Sequence, residues 1–271
     1  MSHPENLARI AKDIRINSIK SIYHGRSGHP GGSLSIAELL SVLYFDEMNV
    51  KANDPDWIDR DRLVLSKGHA CPALYSALAL KGYFDIEEVK KLRHLEHYLE
   101  GHPEINIPGI DAVSGSLGMG LSQALGMALG AKYTKKQYRS YVILGDGDMQ
   151  EGNTWEAIMA ASHHQLDNLV AILDSNGLQG DASVEQQMNT FPIVEKLSAF
   201  QWNIIDIDGH DIKQLQNALK NARETKNQPT FICANTIKGK GIHFMENVLS
   251  WHGSVTMNQQ QLEDSLAALE Q

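Results

Sequence analysis

Leu144-Gly145-Asp146-Gly147-Asp148-Met149-Gln150-Glu151-Gly152, answered further on by Leu173-Asp174-Ser175-Asn176-Gly177-Leu178, is the stretch on which the reading of this chain turns. Each segment follows an apolar run, residues 140–144 and 169–173, that reads as a strand. Gly145 permits a sharp exit from the first strand, and Gly147 lets backbone approach a ligand closely. A helix expected over residues 154–164 turns its free N–H groups and positive dipole end toward this loop, an arrangement that favours an anion such as phosphate. Asp146 supplies a hard carboxylate oxygen. Asn176, thirty residues later, supplies a carbonyl oxygen. One helix and one strand lie between the two, which places both side chains at the same sheet edge. Two such oxygens, a backbone carbonyl and phosphate oxygens suit Mg²⁺ or Ca²⁺. Gly-Asp-Gly alone is a common turn; its pairing with Asn176 is what points to a metal site.

Working outward, the second half alternates strand and helix: strands at 140–144, 169–173, 202–207 and 230–234, helices at 154–164, 192–199 and 211–223. Continuous apolar strands in such an alternation predict an α/β fold, a parallel sheet with helices on both faces. Ligands of such sheets sit beyond the carboxyl ends of the strands. In the first half, helices are expected at 7–24, 33–45, 73–80, 87–100 (charged and mostly exposed) and 121–133, with a strand at 62–65. Residues 258–270 read as a closing polar helix, not as a further domain. No internal repeat or flexible linker divides the chain, so residues 1–271 read as a single domain.

The chain has 271 residues with 24 Lys+Arg against 33 Asp+Glu, a net charge of −9, which argues against a nucleic-acid or anionic-membrane partner. Apolar runs such as residues 169–173 fall far short of the ~20 residues that a membrane span needs. Residues 1–16 lack a signal-peptide core. Two cysteines, Cys71 and Cys233, give no disulfide framework or Cys-based zinc site, and a cytoplasmic location is expected. No GxGxxG follows a strand and no GxxxxGK[ST] occurs, which removes the nicotinamide and P-loop readings.

The Gly-Asp-Gly with Asn176 resembles the thiamine diphosphate motif, and four further segments resemble the cofactor half of transketolase: Ser27-Gly28-His29-Pro30-Gly31-Gly32-Ser33, Ser66-Lys67-Gly68-His69-Ala70, Gly101-His102-Pro103-Glu104 and Gly115 to Gly120. Order and spacing agree from about Ala8 to His252. The resemblance implies that Asp146 and Asn176 are side-chain metal ligands, that Leu178 offers its backbone carbonyl, and that Gly147 binds a phosphate oxygen through its N–H. His69 and His252 would contact the diphosphate, and Gly115 and Leu117 would flank the aminopyrimidine and thiazolium rings. His29 and His102 would hydrogen-bond sugar hydroxyls near the reacting carbons, with His252 joining them as a proton carrier. Glu151 would link cofactor sites across a subunit interface. A neutral imidazole both donates and accepts, which suits hydroxyls whose protons move. Ser116 and Met119 depart from the Pro and Gln of the family's GPLGQG element, so altered loop geometry is expected there.

Other candidates have plainer readings. His94 and His97 lack an HExxH setting and read as surface residues. His163-His164 reads as a contact with a helix carboxyl end. Lys238-Gly239-Lys240-Gly241 is either a cover or phosphate contact for the site or a solvated turn. The family's pyrimidine-binding domain, which carries the glutamate that thiamine chemistry needs, has no counterpart in these 271 residues. Three explanations compete: a split transketolase whose second half is another polypeptide, a shortened form of a longer chain, and a degenerate binding module. The intact ligand residues, the start at Met1 and the helical finish favour the N-terminal subunit of a split transketolase. Its C-terminal partner subunit would complete the site, in a heterotetramer with two of each chain. The pair would transfer a two-carbon ketol unit from a ketose to an aldose, both sugars or sugar phosphates. A sibling thiamine enzyme for a sulfonated or branched sugar, and a non-catalytic cofactor-binding or scaffold module, are the alternatives.

Overall fold

The computed structural model describes residues 2–180 and 182–270. Its centre is a five-stranded sheet of β1 (Arg62–Leu65), β2 (Ser140–Gly145), β3 (Leu169–Ser175), β6 (Asn203–Asp208) and β7 (Thr230–Asn235), all parallel, in the order β1-β2-β3-β7-β6. A two-stranded antiparallel ribbon, β4 (Leu178–Gln179) with β5 (Ala182–Ser183), stands apart from it.

Alternation along the strands feeds two cores. Leu63, Leu65, Tyr141, Ile143, Val170, Ile172 and Ile232 face α1 (Pro4–His24), α3 (Ala37–Val42), α4 (Cys71–Lys81) and α9 (Ile212–Glu224). Val64, Val142, Leu144, Ala171, Leu173 and Phe231 face α5 (Gly120–Thr134), α6 (Gly152–His163) and α8 (Ile193–Ala199). Burial on both faces is why the strands read as unbroken apolar runs. α4 carries apolar residues all round and is enclosed, as such helices are. The sheet edge at β6 is instead charged, with Asp206 and Asp208 exposed, which discourages pairing with another strand. A third, smaller core joins Ile19 of α1, Ile242 and Met245 to Leu262 and Leu269 of α10 (Gln259–Glu270). No helix among the described residues is long and apolar enough to cross a membrane.

Two expected helices are corrected. Residues 33–45 do not form one helix: α2 (Pro30–Leu34) stops, α3 follows, and a π turn covers Leu43–Glu47. Ser35 sits at the break, and its hydroxyl goes to Gly32 O at 3.1 Å and Asp174 Oδ2 at 2.7 Å. Residues 87–100 form only a 3₁₀ turn, Ile86–Lys91, whose start is capped by Asp85 accepting from Glu87 N at 2.9 Å. Beyond it, Arg93 and Glu96 take left-handed φ values of 58° and 63°, which end a helix. Val89, Leu92 and Leu99 are buried there, so this segment is less exposed than its charge suggests.

A buried ion cluster locks α1, α3 and the loop after β6. Arg15 grips Glu38 with two bonds of 2.6 Å, and His210 Nδ1 donates to Glu38 Oε2 at 3.0 Å. His210 Nε2 in turn accepts from Ile237 N at 2.9 Å, which fixes the start of the loop after β7. Burial pushes the Glu38 carboxyl up, but the Arg15 guanidinium and the His210 bond win and bring it to about 2, from an ordinary 4.5. A lowered carboxyl contributes stability above its unfolded value and loses it as pH falls through its folded value. The contribution is about 3 kcal/mol, complete above roughly pH 4.5 and lost toward roughly pH 2. Glu38→Gln is therefore expected to be less stable by about 3 kcal/mol at pH 7, with the gap to wild type closing in acid. Urea unfolding at pH 7 and pH 3 checks this, and a gap independent of pH contradicts it.

Candidate functional site

The carboxyl ends of β1, β2, β3 and β7 open into one cavity of about 340 Å³. Gly145 of β2 is paired in register with Asp174 of β3, so Asp146 and Asn176 leave adjacent strand tips as their spacing predicts. Of the residues singled out in the sequence, His29, His69, His102, Gly115, Leu117, Asp146, Gly147, Asn176, Leu178 and His252 all line this cavity. Glu151 does not: it is exposed just before α6, packed against Gly118.

One end of the cavity gathers hard oxygen atoms that could hold a cation. Asp146 is 5% exposed, and its Oδ2 accepts from Asn176 N at 3.0 Å and Gly177 N at 2.9 Å. Burial, with neighbouring Asp174 adding repulsion, pushes its carboxyl up to about 7. That is the signature of a buried carboxylate with too little positive charge around it. Asn176 Oδ1 accepts from Leu178 N at 3.2 Å, and Leu178 O accepts from Lys238 Nζ at 3.0 Å. Each carbonyl oxygen has a second lone pair. No group of three His, Cys, Asp or Glu side chains among the described residues is placed to hold a metal. A cation here thus relies on one carboxylate with amide and carbonyl oxygens, a hard donor set that suits Mg²⁺ or Ca²⁺.

The other end gathers imidazoles and an ammonium. The rings of His29, His69 and His252 form a triangle with centroids 5.0, 5.4 and 5.9 Å apart. Burial brings His29 and His252 down to about 4 and holds His69 well below its ordinary value, with nearby lysines and the other imidazoles adding to the effect. His102 is lowered too, by burial and by Arg93. These rings are neutral near pH 7. His29 Nδ1 is buried without a hydrogen-bond partner, so it has capacity left for a ligand. Lys238, 2% exposed, reaches His252 Nδ1 at 2.6 Å, and no carboxylate salt bridge to it is found among the described residues. Burial and Lys67 lower its ammonium to about 8. The open choice for the Lys-Gly-Lys-Gly segment is thereby resolved: Lys238 is cavity wall, not solvated turn.

Several members of the site escaped the sequence reading. Lys67 crosses the floor of the cavity to the carboxylate of Asp174 and to Gly32 O at 3.0 Å. Asp148, inside the quoted motif, joins three loops: it accepts from Ser66 Oγ at 2.5 Å, Gly118 N at 2.8 Å and Gly145 N at 2.8 Å. Gly118 needs to be glycine for this, because its φ is +83° and a Cβ there would lie 2.4 Å from that of Glu151. Met119, one of the two departures in this loop, is 46% exposed and outside the cavity. Of the plainer candidates, His94 is exposed, whereas the His97 side chain is only 13% exposed and bonds Glu88 at 2.8 Å. α6 ends at His163, as the dipole reading requires.

A parallel sheet whose strand tips open into a cavity lined by both a buried carboxylate and a buried ammonium defines an α/β domain of the class that binds its ligand at the carboxyl edge. The chain belongs to the transketolase family: residues 7–266 match the family described as "Transketolase, thiamine diphosphate binding domain". It is 41% identical, over 98% of its length and 96% of the relative's, to the "6-deoxy-6-sulfo-D-fructose transketolase subunit SqwG" of a Clostridium species. It is 38% identical, over 94% of its length and 91% of the relative's, to one of the subunits of the "Apulose-4-phosphate transketolase" of Phocaeicola vulgatus. The structure superposes on the transketolase of Campylobacter jejuni with a TM-score of 0.93 at 32% identity, covering 99% of this chain and 43% of the other. Against longer relatives such as mouse "Transketolase-like protein 2", the chain spans 40% of the length.

Proposed function

We propose that this chain is the cofactor-diphosphate half of a thiamine diphosphate-dependent transketolase. A separate C-terminal subunit supplies the pyrimidine-binding domain, and two copies of each chain assemble, in the cytoplasm, into a heterotetramer. The observation that carries the reading is the placement of Asp146 and Lys238 in one cavity: a buried carboxylate pushed up to about 7 and a buried ammonium lowered to about 8, with no salt bridge between them among the described residues. A divalent cation on a diphosphate satisfies both at once. The near full-length matches to two relatives named as transketolase subunits support the two-chain arrangement.

In this reading Asp146, Asn176 and the Leu178 carbonyl hold Mg²⁺ or Ca²⁺, and Gly147 N–H binds a phosphate oxygen. His69, His252 and Lys238 face the diphosphate, while Gly115 and Leu117 border the rings. Glu151, outside the cavity, serves the contact between subunits. Bound thiamine diphosphate supplies an electron sink, its thiazolium, for the two-carbon unit that passes from ketose to aldose. His29, His102 and His252 orient the sugar hydroxyls. Being neutral, His29 and His102 can each accept a proton at one nitrogen while donating from the other, whereas His252, whose Nδ1 faces the Lys238 ammonium, donates from Nε2. The names of the two subunit relatives favour sugars bearing a phosphate or a sulfonate, including branched ones. The pentose phosphates are the ordinary members of that set.

Mixing tests the proposal. Purified chain, a C-terminal transketolase subunit, thiamine diphosphate and Mg²⁺ are assayed for ketol transfer together and singly. Turnover is expected only from the mixture. Robust turnover by this chain alone refutes the two-chain reading. Cofactor binding without turnover in any mixture favours the non-catalytic module.

A further inference from the structure

We infer that Asp174 is a positioning residue for the cation site, acting through Asn176. The inference rests on the cofactor reading above and names what sets the geometry of one of its ligands. Asp174 is fully buried and does not line the cavity. Its Oδ2 accepts from Asn176 Nδ2 at 3.0 Å and Ser35 Oγ at 2.7 Å. It also accepts from Lys67 Nζ, and its Oδ1 accepts from Thr236 Oγ1. Four donors from the α2–α3 junction, the end of β1, the loop after β7 and β3's own tip therefore meet on one carboxylate.

An ionised carboxylate only accepts. The NH₂ of Asn176 is thus committed to Asp174, and its carbonyl oxygen must take the opposite side. There it receives Leu178 N at 3.2 Å and keeps a lone pair, at a residue that lines the cavity. With the amide turned the other way, two N–H donors would face the place of a cation. Asp174, at 3.0 Å, disfavours that orientation together with the longer Leu178 N bond of 3.2 Å, and Lys67 keeps the buried carboxylate paired. Outer partners that orient a ligand in this way alter metal affinity by about 10–100-fold.

The test measures half-saturating Mg²⁺ for thiamine diphosphate binding by the full chain assembled with its C-terminal subunit, by calorimetry, alongside urea unfolding of each ligand-free variant. Asp174→Ala removes the acceptor of the Asn176 NH₂, so the amide loses the partner that turns its oxygen toward the cavity. The variant is expected to raise half-saturating Mg²⁺ by about 10–100-fold. Lys67→Met/Asp174→Leu removes the buried charges as a pair and should weaken Mg²⁺ as much, so it serves where the single variant folds poorly. Ser35→Ala/Thr236→Val strips two other donors from the same carboxylate. It should lower stability yet leave half-saturating Mg²⁺ within about threefold, since the Asn176 bond is intact. Unchanged Mg²⁺ dependence in both Asp174 variants overturns the inference. Equal loss in the Ser35/Thr236 variant overturns it too, because the role would then be structural only. In the wild-type chain, the Asn176 NH₂ protons should exchange slowly with solvent in NMR spectra with and without Mg²⁺. Rapid exchange overturns the inference without any variant. A wild-type assembly with the C-terminal subunit that shows no Mg²⁺-dependent cofactor binding overturns the cofactor reading itself.

Discussion

Replacing Asp146 by alanine is expected to abolish magnesium-dependent binding of thiamine diphosphate. The loss should exceed the ~100-fold upper range seen when only an outer partner of a metal ligand is removed. Asp146 is the one carboxylate in the proposed donor set, and amide and carbonyl oxygens alone leave a divalent cation without an anionic ligand. The variant also removes the acceptor for Asn176 N and Gly177 N, so its loop could be disturbed for reasons unrelated to charge. Asp146→Asn separates the effects. An asparagine oxygen can still take both backbone bonds, so the loop should persist while the metal affinity falls. Calorimetric titration of each variant with cofactor, at low and at saturating Mg²⁺, reads the difference. An alanine variant that binds the cofactor with the wild-type Mg²⁺ dependence would falsify the cation assignment.

Lys67→Met is expected to destabilise the chain by about 3–5 kcal/mol, the usual result of stripping one partner from a buried ion pair. Asp174 is 0% exposed and Lys67 2%, so solvent cannot take over the lost partner. Three neutral donors remain on Asp174, and they hold it without neutralising it. Against a total stability of about 5–15 kcal/mol, a loss of this size brings the domain close to its folding threshold. Adding Asp174→Leu should restore part of the stability, since two apolar side chains of similar volume often match a buried ion pair. Urea unfolding of the single and double variants provides the check. A single-variant loss below about 1 kcal/mol, the range of surface pairs, would mean that the buried pair carries no such weight.

What is legible in the sequence follows a physical pattern. Strands β1, β2, β3 and β7 are readable because burial on both faces leaves no polar interruptions, and their expected bounds fall within a residue or two of those observed. The cavity loops are readable because a ligand that comes close to backbone demands glycine, and neutral two-way hydrogen bonding demands histidine. The break at Ser35 is hidden, since it depends on a hydroxyl finding Asp174 across the fold. Residues 87–100 mislead because charge alternation imitates an exposed helix, while buried Val89, Leu92 and Leu99 pin the segment as turns. Lys67 and Asp174 both lie inside quoted motifs, yet nothing local says that they meet. Lys238 reads identically in a solvated turn and in a cavity wall; burial alone separates the two.

The walls of the cavity come from both ends of the chain. Gly253 packs so closely on the His29 ring that a Cβ there would lie 2.6 Å away, and Val255 N donates to Gly28 O at 2.9 Å. α10 then returns to α1, where Tyr23 Oη donates to Gln259 Oε1 at 2.6 Å. During synthesis His252 leaves the ribosome more than two hundred residues after His29. A nascent chain consequently carries a half-walled crevice until residues 252–255 and α10 have emerged. Nicking or trimming near residue 250 would undo that last step first, leaving the sheet standing but the crevice open on one side.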